Sequence, residues 1–196
     1  MGYELTKQGL QPDSRKLIAI SEMAPPVDKQ ALLRMLETAE FLARVCPGYS
    51  EVASVLRQLL NEDSEFRWID DTHGAAWRRL KNILISAPVL QYYDVTQPVV
   101  IQADASTSGI GAVVQNGRVI EYASRDLTRI KRDAYAQIER ELAAVLFALE
   151  RFDSYSYGKS DVAVQTDHSP LLAIKKTLTS APKRLQRMLQ RTQRYT

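Results

Sequence analysis

Three acidic residues stand where a carboxylate is costly unless something compensates it. Asp104 ends an apolar, β-branched run, Pro98-Val-Val-Ile-Gln-Ala-Asp104, and is followed by Ala105-Ser106 and two nearby glycines, Gly109 and Gly111. Asp167 ends an alternating run and is followed by His168 in Gln165-Thr166-Asp167-His168. Glu141 lies beside Leu142, on the edge of the apolar face of a long helical pattern. Acids at strand ends and on the buried edge of a helix must be paired, protonated or metal-bound. If the two runs are neighbouring strands, Asp104 and Asp167 converge at adjacent ends. The helix between them can then hold Glu141 over the same point. Converging carboxylates repel, and a hard divalent cation such as Mg²⁺ removes that cost while also taking substrate phosphates. The alternative is plainer: strand-end aspartates that cap turns, and a surface glutamate.

The elements that must position these acids follow from punctuation and periodicity. Before Pro88 the pattern is helical. Asp13 caps a helix running to about Met23, and Asp28 caps a second with Leu32, Met35, Leu36, Ala39 and Leu42 on one face. Ser50 is read as the cap of a third helix and Asp71 as the cap of a fourth, with no strand pattern in this stretch. After Pro88 come strands at about 98–104, 109–114 and 118–123, the last two joined by Asn116-Gly117. A long helix is expected from about Lys131 to Tyr157, then a strand at 161–166, a short helix from Ser169-Pro170, and a final helix from Pro182. A three-strand meander, a crossover helix and another strand imply a mixed sheet with helices packed against it.

Charge is unevenly placed. Lys plus Arg is 26 against 23 Asp plus Glu, a net of +3. From His168 to Thr196 there are seven basic residues and no acid, so the remainder is net acidic. Lys183, Arg184, Arg187, Arg191 and Arg194 lie on the final helix beside a narrow apolar stripe of Leu185, Met188, Leu189 and Thr192. No bulky aromatic on that stripe would anchor it in lipid, so a phosphate backbone is the favoured partner. A merely solvated basic face is the alternative. The composition, 45% hydrophobic and 25% charged over 196 residues, is that of a globular chain and excludes disorder for its bulk. Apolar runs fall far short of the ~20 residues of a membrane span, and no signal peptide is visible. A single cysteine, Cys46, and two histidines leave no disulfide and no zinc cluster, which implies an intracellular protein.

Several blocks, in order, carry a family resemblance. Q-A-D-A-S (102–106), S-G-I-G-A-V-V (108–114), E-Y-A-S-R (121–125), Y-A-Q-I-E-R-E-L-A-A-V (135–145) and V-Q-T-D-H (164–168) resemble the ribonuclease H domain of gypsy-type LTR retrotransposon polyproteins. L-T-K-Q-G-L-Q-P-D (5–13), F-L-A-R (41–44), P-G-Y-S (47–50) and F-R-W (66–68) are similar to the thumb and connection that precede it in the reverse transcriptase. A-P-K-R-L-Q-R-M-L (181–189) is similar to the family's downstream helix. The resemblance implies an α/β (α+β) chain with a thumb/connection-like helical segment at 1–70, a linking helix at 71–87 and a ribonuclease H-like domain at 88–196, incomplete at its C-terminus. It also implies that Asp104, Glu141 and Asp167 are catalytic and metal-binding, holding two Mg²⁺ ions with Mn²⁺ as a substitute. Glu141 is chosen over Glu139 because the family's glutamate directly precedes Leu-x-Ala, here Leu142-Ala143-Ala144.

The implied partners are an RNA–DNA hybrid and the polymerase portion of the polyprotein, with no membrane. The implied setting is a cytoplasmic retroelement particle or the nucleus, not secretion. The role of His168 stays open. Departures from the family's pattern also count. Its Tyr-x-Asp-Asp motif is absent, its fourth nuclease aspartate is expected beyond Thr196, and the strand near Val114-Gln115 is one residue short. Asp126 and Ile130 stand where a small and a polar residue are expected. The resulting expectation is metal-dependent cleavage of RNA in hybrids, against a catalytically inactive or host-co-opted nucleic-acid-binding remnant.

Overall fold

The computed structural model describes residues 2–61, 65–167 and 182–195. The chain forms two compact units, Met1–Tyr92 and Tyr93–Thr196.

The first unit opens with strands, where only helices were expected. Strands β1 (Tyr3–Thr6) and β2 (Gly9–Pro12) form an antiparallel hairpin. Four-residue strands are too short to show an alternation, and this pair is held by residues distant in sequence. Leu10 and Leu90 exchange backbone hydrogen bonds of 2.8 Å, and Tyr92 Oη donates to Thr6 O at 3.0 Å. Gly9 sits at φ +139°, where a Cβ would lie 1.9 Å from Leu90 O, so this close approach requires glycine.

Helices α1 (Ser14–Glu22) and α2 (Lys29–Leu42) start where the caps predict. Asp13 accepts from Arg15 N, and Asp28 accepts from Ala31 N. Helix α3 (Tyr49–Arg57) begins one residue before the expected cap. Gly48, at φ +69°, turns the chain into it, and Ser50 is buried inside. Asp71 does not cap α4 (Ala75–Ile85) either. A wide π turn, Asp70–Gly74, leads into it, with the N–H groups of Thr72, His73 and Gly74 all directed at Ile69 O. Trp77, Leu80 and Leu84 of α4 are buried, as are Leu32, Leu36, Leu42 and Leu56. Residues 75–85 pack against α1 and α3 within this first unit.

The second unit is a four-stranded mixed sheet, as the sequence predicts, and its order is β5-β4-β3-β6. Strands β3 (Val99–Ala105), β4 (Gly109–Asn116) and β5 (Arg118–Asp126) form the antiparallel meander, and β6 (Val162–Gln165) lies parallel to β3. The shortening near Val114-Gln115 appears as a bulge. Val114 faces Glu121 and Gln115 faces Val119, so Ile120 of β5 has no opposite number. The buried Asn116 side chain accepts from Asp94 N and donates to Gln97 O and Pro98 O, fixing the chain's entry into β3. On the exposed face, Gln102 Nε2 donates to Gln165 Oε1 at 2.8 Å, and Gln115 Nε2 donates to Gln102 Oε1 at 3.1 Å.

The long helix expected from Lys131 to Tyr157 is three pieces: α5 (Arg129–Ala134), α6 (Gln137–Arg151) and α7 (Asp153–Ser156). Tyr135 and Ala136 are extended. The Glu139 carboxylate reaches back to accept from Ala136 N at 3.0 Å, half of a capping box, and this starts a new helix. The apolar spacing of three and four runs on through the break, so periodicity alone does not show it.

Ala144, Ala148 and Leu149 of α6, with Phe152 just past its end, pack on Val99, Ile101 and Ala103 of the sheet. Leu142 and Leu146 pack on Leu185, Met188 and Leu189 of the C-terminal helix α8 (Lys183–Thr192). The helix expected from Ser169-Pro170 lies outside the described residues, as do His168, Lys175 and Lys176. No described helix is long and apolar enough to cross a membrane.

Cys46 is 1% exposed, and burial pushes its thiol up to about 12. The thiolate is the reactive species, so the native thiol should resist alkylation at pH 8. Iodoacetamide labelling followed by mass spectrometry should be at least about tenfold slower on native than on urea-unfolded protein. Equal rates would place Cys46 at the surface.

Candidate metal centre

Strands β3 and β6 run parallel in the register Val99↔Val162 through Gln102↔Gln165. Continuing that register by two residues brings Asp104 level with Asp167. Both side chains are exposed at the same end of the sheet, while Glu141 on α6 is buried, 3% exposed. One carboxylate oxygen from each of the three lies within 4.8 Å of the other two. The expected trio is therefore brought together, by the strands and helix expected to do it. Gly111, paired with Asp104, faces open space: a Cβ there would meet nothing within 4 Å.

Two of these carboxylates have visible orienting contacts. Asp104 Oδ1 accepts from Ala105 N at 2.8 Å. Glu141 Oε1 accepts from Nε2 of Gln137, one helical turn earlier. Sequence reasoning missed Gln137, although its position four residues before Glu141 on one helix face was a readable signal. Glu139 turns elsewhere: its oxygens take Ala136 N and the Arg184 guanidinium.

The donor set is three hard oxygens, one of them from a buried side chain. That set fits a hard divalent cation such as Mg²⁺ or Mn²⁺ and lacks the nitrogen and sulfur ligands typical of structural zinc. Metal–oxygen bonds of about 2.0–2.1 Å put the ligand oxygens of one ion roughly 3–4 Å apart. Small side-chain rotations would bring these three to that spacing. Among the described residues no other group of three or more His, Cys, Asp or Glu converges in this way.

The five basic residues assigned to nucleic acid, Lys183, Arg184, Arg187, Arg191 and Arg194, are all exposed, but they are not equivalent. Arg184 donates to both Glu139 oxygens at 3.2 and 3.3 Å, and its guanidinium lies 4.8 Å from the centroid of the Tyr135 ring. Arg191 pairs with Glu150. Lys183, Arg187 and Arg194 make no ion pair among the described residues. Lys183 and Arg187, one turn apart, lie on the side of α8 opposite Leu185, Met188 and Leu189, whereas Arg194, expected on the helix, follows its end in the 3₁₀ turn Gln193–Tyr195.

Residues 94–195 match the family described as "RNase H-like domain found in reverse transcriptase". The chain is 33% identical over 186 residues to the retrovirus-related Pol polyprotein from transposon opus of Drosophila melanogaster. It is 32% identical over 186 residues to the corresponding polyprotein from transposon gypsy of the same organism. Each of these matches covers 87% of this chain and 18% of the relative, so the chain spans under a fifth of either. Among solved structures, it superposes with a TM-score of 0.82 on a foamy viral protease-reverse transcriptase in complex with RNA/DNA hybrid. That match is 21% identical and covers 97% of this chain and 27% of the other; at such identity it speaks for the fold. A foamy viral protease-reverse transcriptase in complex with dsDNA gives 0.81, at 21% identity, over 98% of this chain and 41% of that one. The parallel β3–β6 pair, the crossover helix and the family match over 94–195 lead to one conclusion: this chain belongs to the RNase H-like domains found in reverse transcriptases.

Proposed function

We propose that Asp104, Glu141 and Asp167 form the metal-binding catalytic site of a ribonuclease H that hydrolyses the RNA strand of RNA–DNA hybrids. The observation that carries this reading is the approach of one oxygen from each to within 4.8 Å at the shared end of two parallel strands. Three carboxylates alone would repel a phosphodiester, so these side chains serve such a substrate only as ligands. Divalent cations held here would activate water and stabilise the leaving oxygen. Asp104 and Asp167, both exposed, hold the side open to substrate, and buried Glu141 closes the inner side. Discrimination of RNA from DNA requires contacts to 2′-hydroxyl groups from around the site.

Residues 1–70 are read as thumb- and connection-like and 71–87 as a linking helix, and the domain is read as working beside the polymerase of a retrotransposon polyprotein. Gypsy- and opus-like relatives support this reading.

In Mg²⁺ or Mn²⁺, the chain should shorten the labelled RNA strand of a hybrid, and Asp104→Asn should lower the rate by at least about 100-fold. Equal cleavage by both would reject the assigned site. Binding of hybrid with no cleavage in either metal would favour the non-catalytic, nucleic-acid-binding alternative.

Nucleic-acid affinity is assigned to the outward stripe of the C-terminal helix and the turn that follows it. Because Arg184 and Arg191 already have acidic partners, three residues and not five are expected to meet phosphates. Changing Lys183, Arg187 and Arg194 together to Ala should flatten the slope of log affinity against log salt by about 2–3 units on hybrid. The change should be similar for unrelated sequences, because phosphate contacts position without specifying. An unchanged slope would make the stripe a solvated face.

A further inference from the structure

The C-terminal helix is tied to the helix that carries Glu141, and the tie lands close to that glutamate. Arg184 places its guanidinium on both oxygens of Glu139, stacks over Tyr135 and approaches Ala134 O at 3.5 Å. Those contacts hold the extended step between α5 and α6. Glu139 in turn accepts from Ala136 N and so fixes the start of α6. The first residue of that helix is Gln137, whose amide donates to Glu141 Oε1. A chain of contacts therefore runs from Arg184 through Glu139 and the helix start to Gln137, and ends on a carboxylate of the candidate centre. The Glu139 side chain is only 12% exposed, so its pairing with Arg184 is less screened than an open surface pair.

We propose that Arg184 is a positioning residue for the metal centre: through Glu139 it sets the first turn of α6 and thereby the aim of Glu141. It does not act as a phosphate contact, although its place in a basic helix suggests one. The proposal rests on the metal-binding reading of Asp104, Glu141 and Asp167. Its physical basis is that a ligand turned away from its neighbours must be reoriented each time a cation binds. A preset ligand avoids that cost. Arginine suits the place because one guanidinium nitrogen, Nη1, reaches both oxygens of the carboxylate while the guanidinium covers the Tyr135 ring. Lysine offers a point charge without the plane.

The test measures Mn²⁺ binding to the full chain by the loss of free Mn²⁺ EPR signal, and hybrid affinity against salt in EDTA. Arg184→Ala should weaken Mn²⁺ binding by roughly 3- to 10-fold, less than the ~10–100-fold typical when a direct partner of a ligand is removed. Its salt slope on hybrid should match wild type. Arg187→Ala should do the reverse, leaving Mn²⁺ affinity intact and flattening the slope by about 0.9 units.

Glu139→Gln keeps an oxygen for Ala136 N but loses the ion pair, so it should reproduce Arg184→Ala. The double variant should be no worse than either single one, as expected for residues acting through one contact. Arg184→Lys should restore Mn²⁺ affinity only in part. Circular dichroism confirms folding of each variant, and Glu139→Gln keeps the proposal decidable should Arg184→Ala unfold. Wild-type Mn²⁺ affinity in both Arg184→Ala and Glu139→Gln would overturn the proposal and leave the metal site standing. A flattened salt slope for Arg184→Ala would return Arg184 to the phosphate contacts. Absence of Mn²⁺ binding by wild type would sink the metal reading and this proposal together.

Discussion

The second unit depends on holding three like charges where they would not go by themselves. Two ionised carboxylates at the spacing of Asp104, Glu141 and Asp167 repel by something on the order of a few kcal/mol in a partly buried setting, and less where solvent reaches them. Nothing in the trio attracts its members to one another. Their convergence is imposed by parts that are stable for other reasons: the parallel β3–β6 pair and the seating of α6 on the sheet through Ala144, Ala148 and Leu149. Alanines on that face let the helix lie close to Ile101 and Ala103, which brings Glu141 down to the strand ends. The apolar core thus supplies the work that charge repulsion opposes.

The C-terminal helix shows how one amphipathic element can serve two ends. Its hold on α6 is mainly apolar. Burying Leu185, Met188 and Leu189 is worth about 1.5–3 kcal/mol apiece as an upper estimate, whereas half-exposed ion pairs such as Arg191 with Glu150 contribute about 0–1 kcal/mol. Docking therefore does not need the arginines. Pairing with Glu139 and Glu150 instead sets the angle at which the helix lies and divides its basic residues into an inward-turned pair and an outward stripe.

Much of this was legible in the residues. Asp13 and Asp28 start helices because a short side chain before an apolar-periodic run can take a free N–H, and both do so. The order of strands about one crossover helix implied a mixed sheet, and the pairing of β6 with β3 meets the condition under which Asp167 comes beside Asp104. What was not legible has a common cause. The hairpin at 3–12 depends on Leu90 and Tyr92, far along the chain. The break at Tyr135-Ala136 depends on a side chain of α6 reaching backwards without disturbing the apolar spacing. The division among the arginines depends on which acid each one faces, and charge counting shows only that they are charged. Periodicity reports what an element buries; it is silent on which polar atom ends or turns it.

The row of glutamines across the exposed face ties three strands, Gln165 level with Gln102 and Gln115 reaching Gln102 diagonally from two residues along. A strand can slip only in whole residues, each about 3.3 Å, and each single slip also turns its side chains over to the opposite face. For β6, one step would drive Gln165 toward the core, lose its amide partner and carry Asp167 out of reach of Asp104. The sheet therefore behaves as a graduated scale whose smallest division exceeds the tolerance of the centre it serves. Alignment of the two aspartates is digital: either the amides match and the oxygens meet, or neither happens.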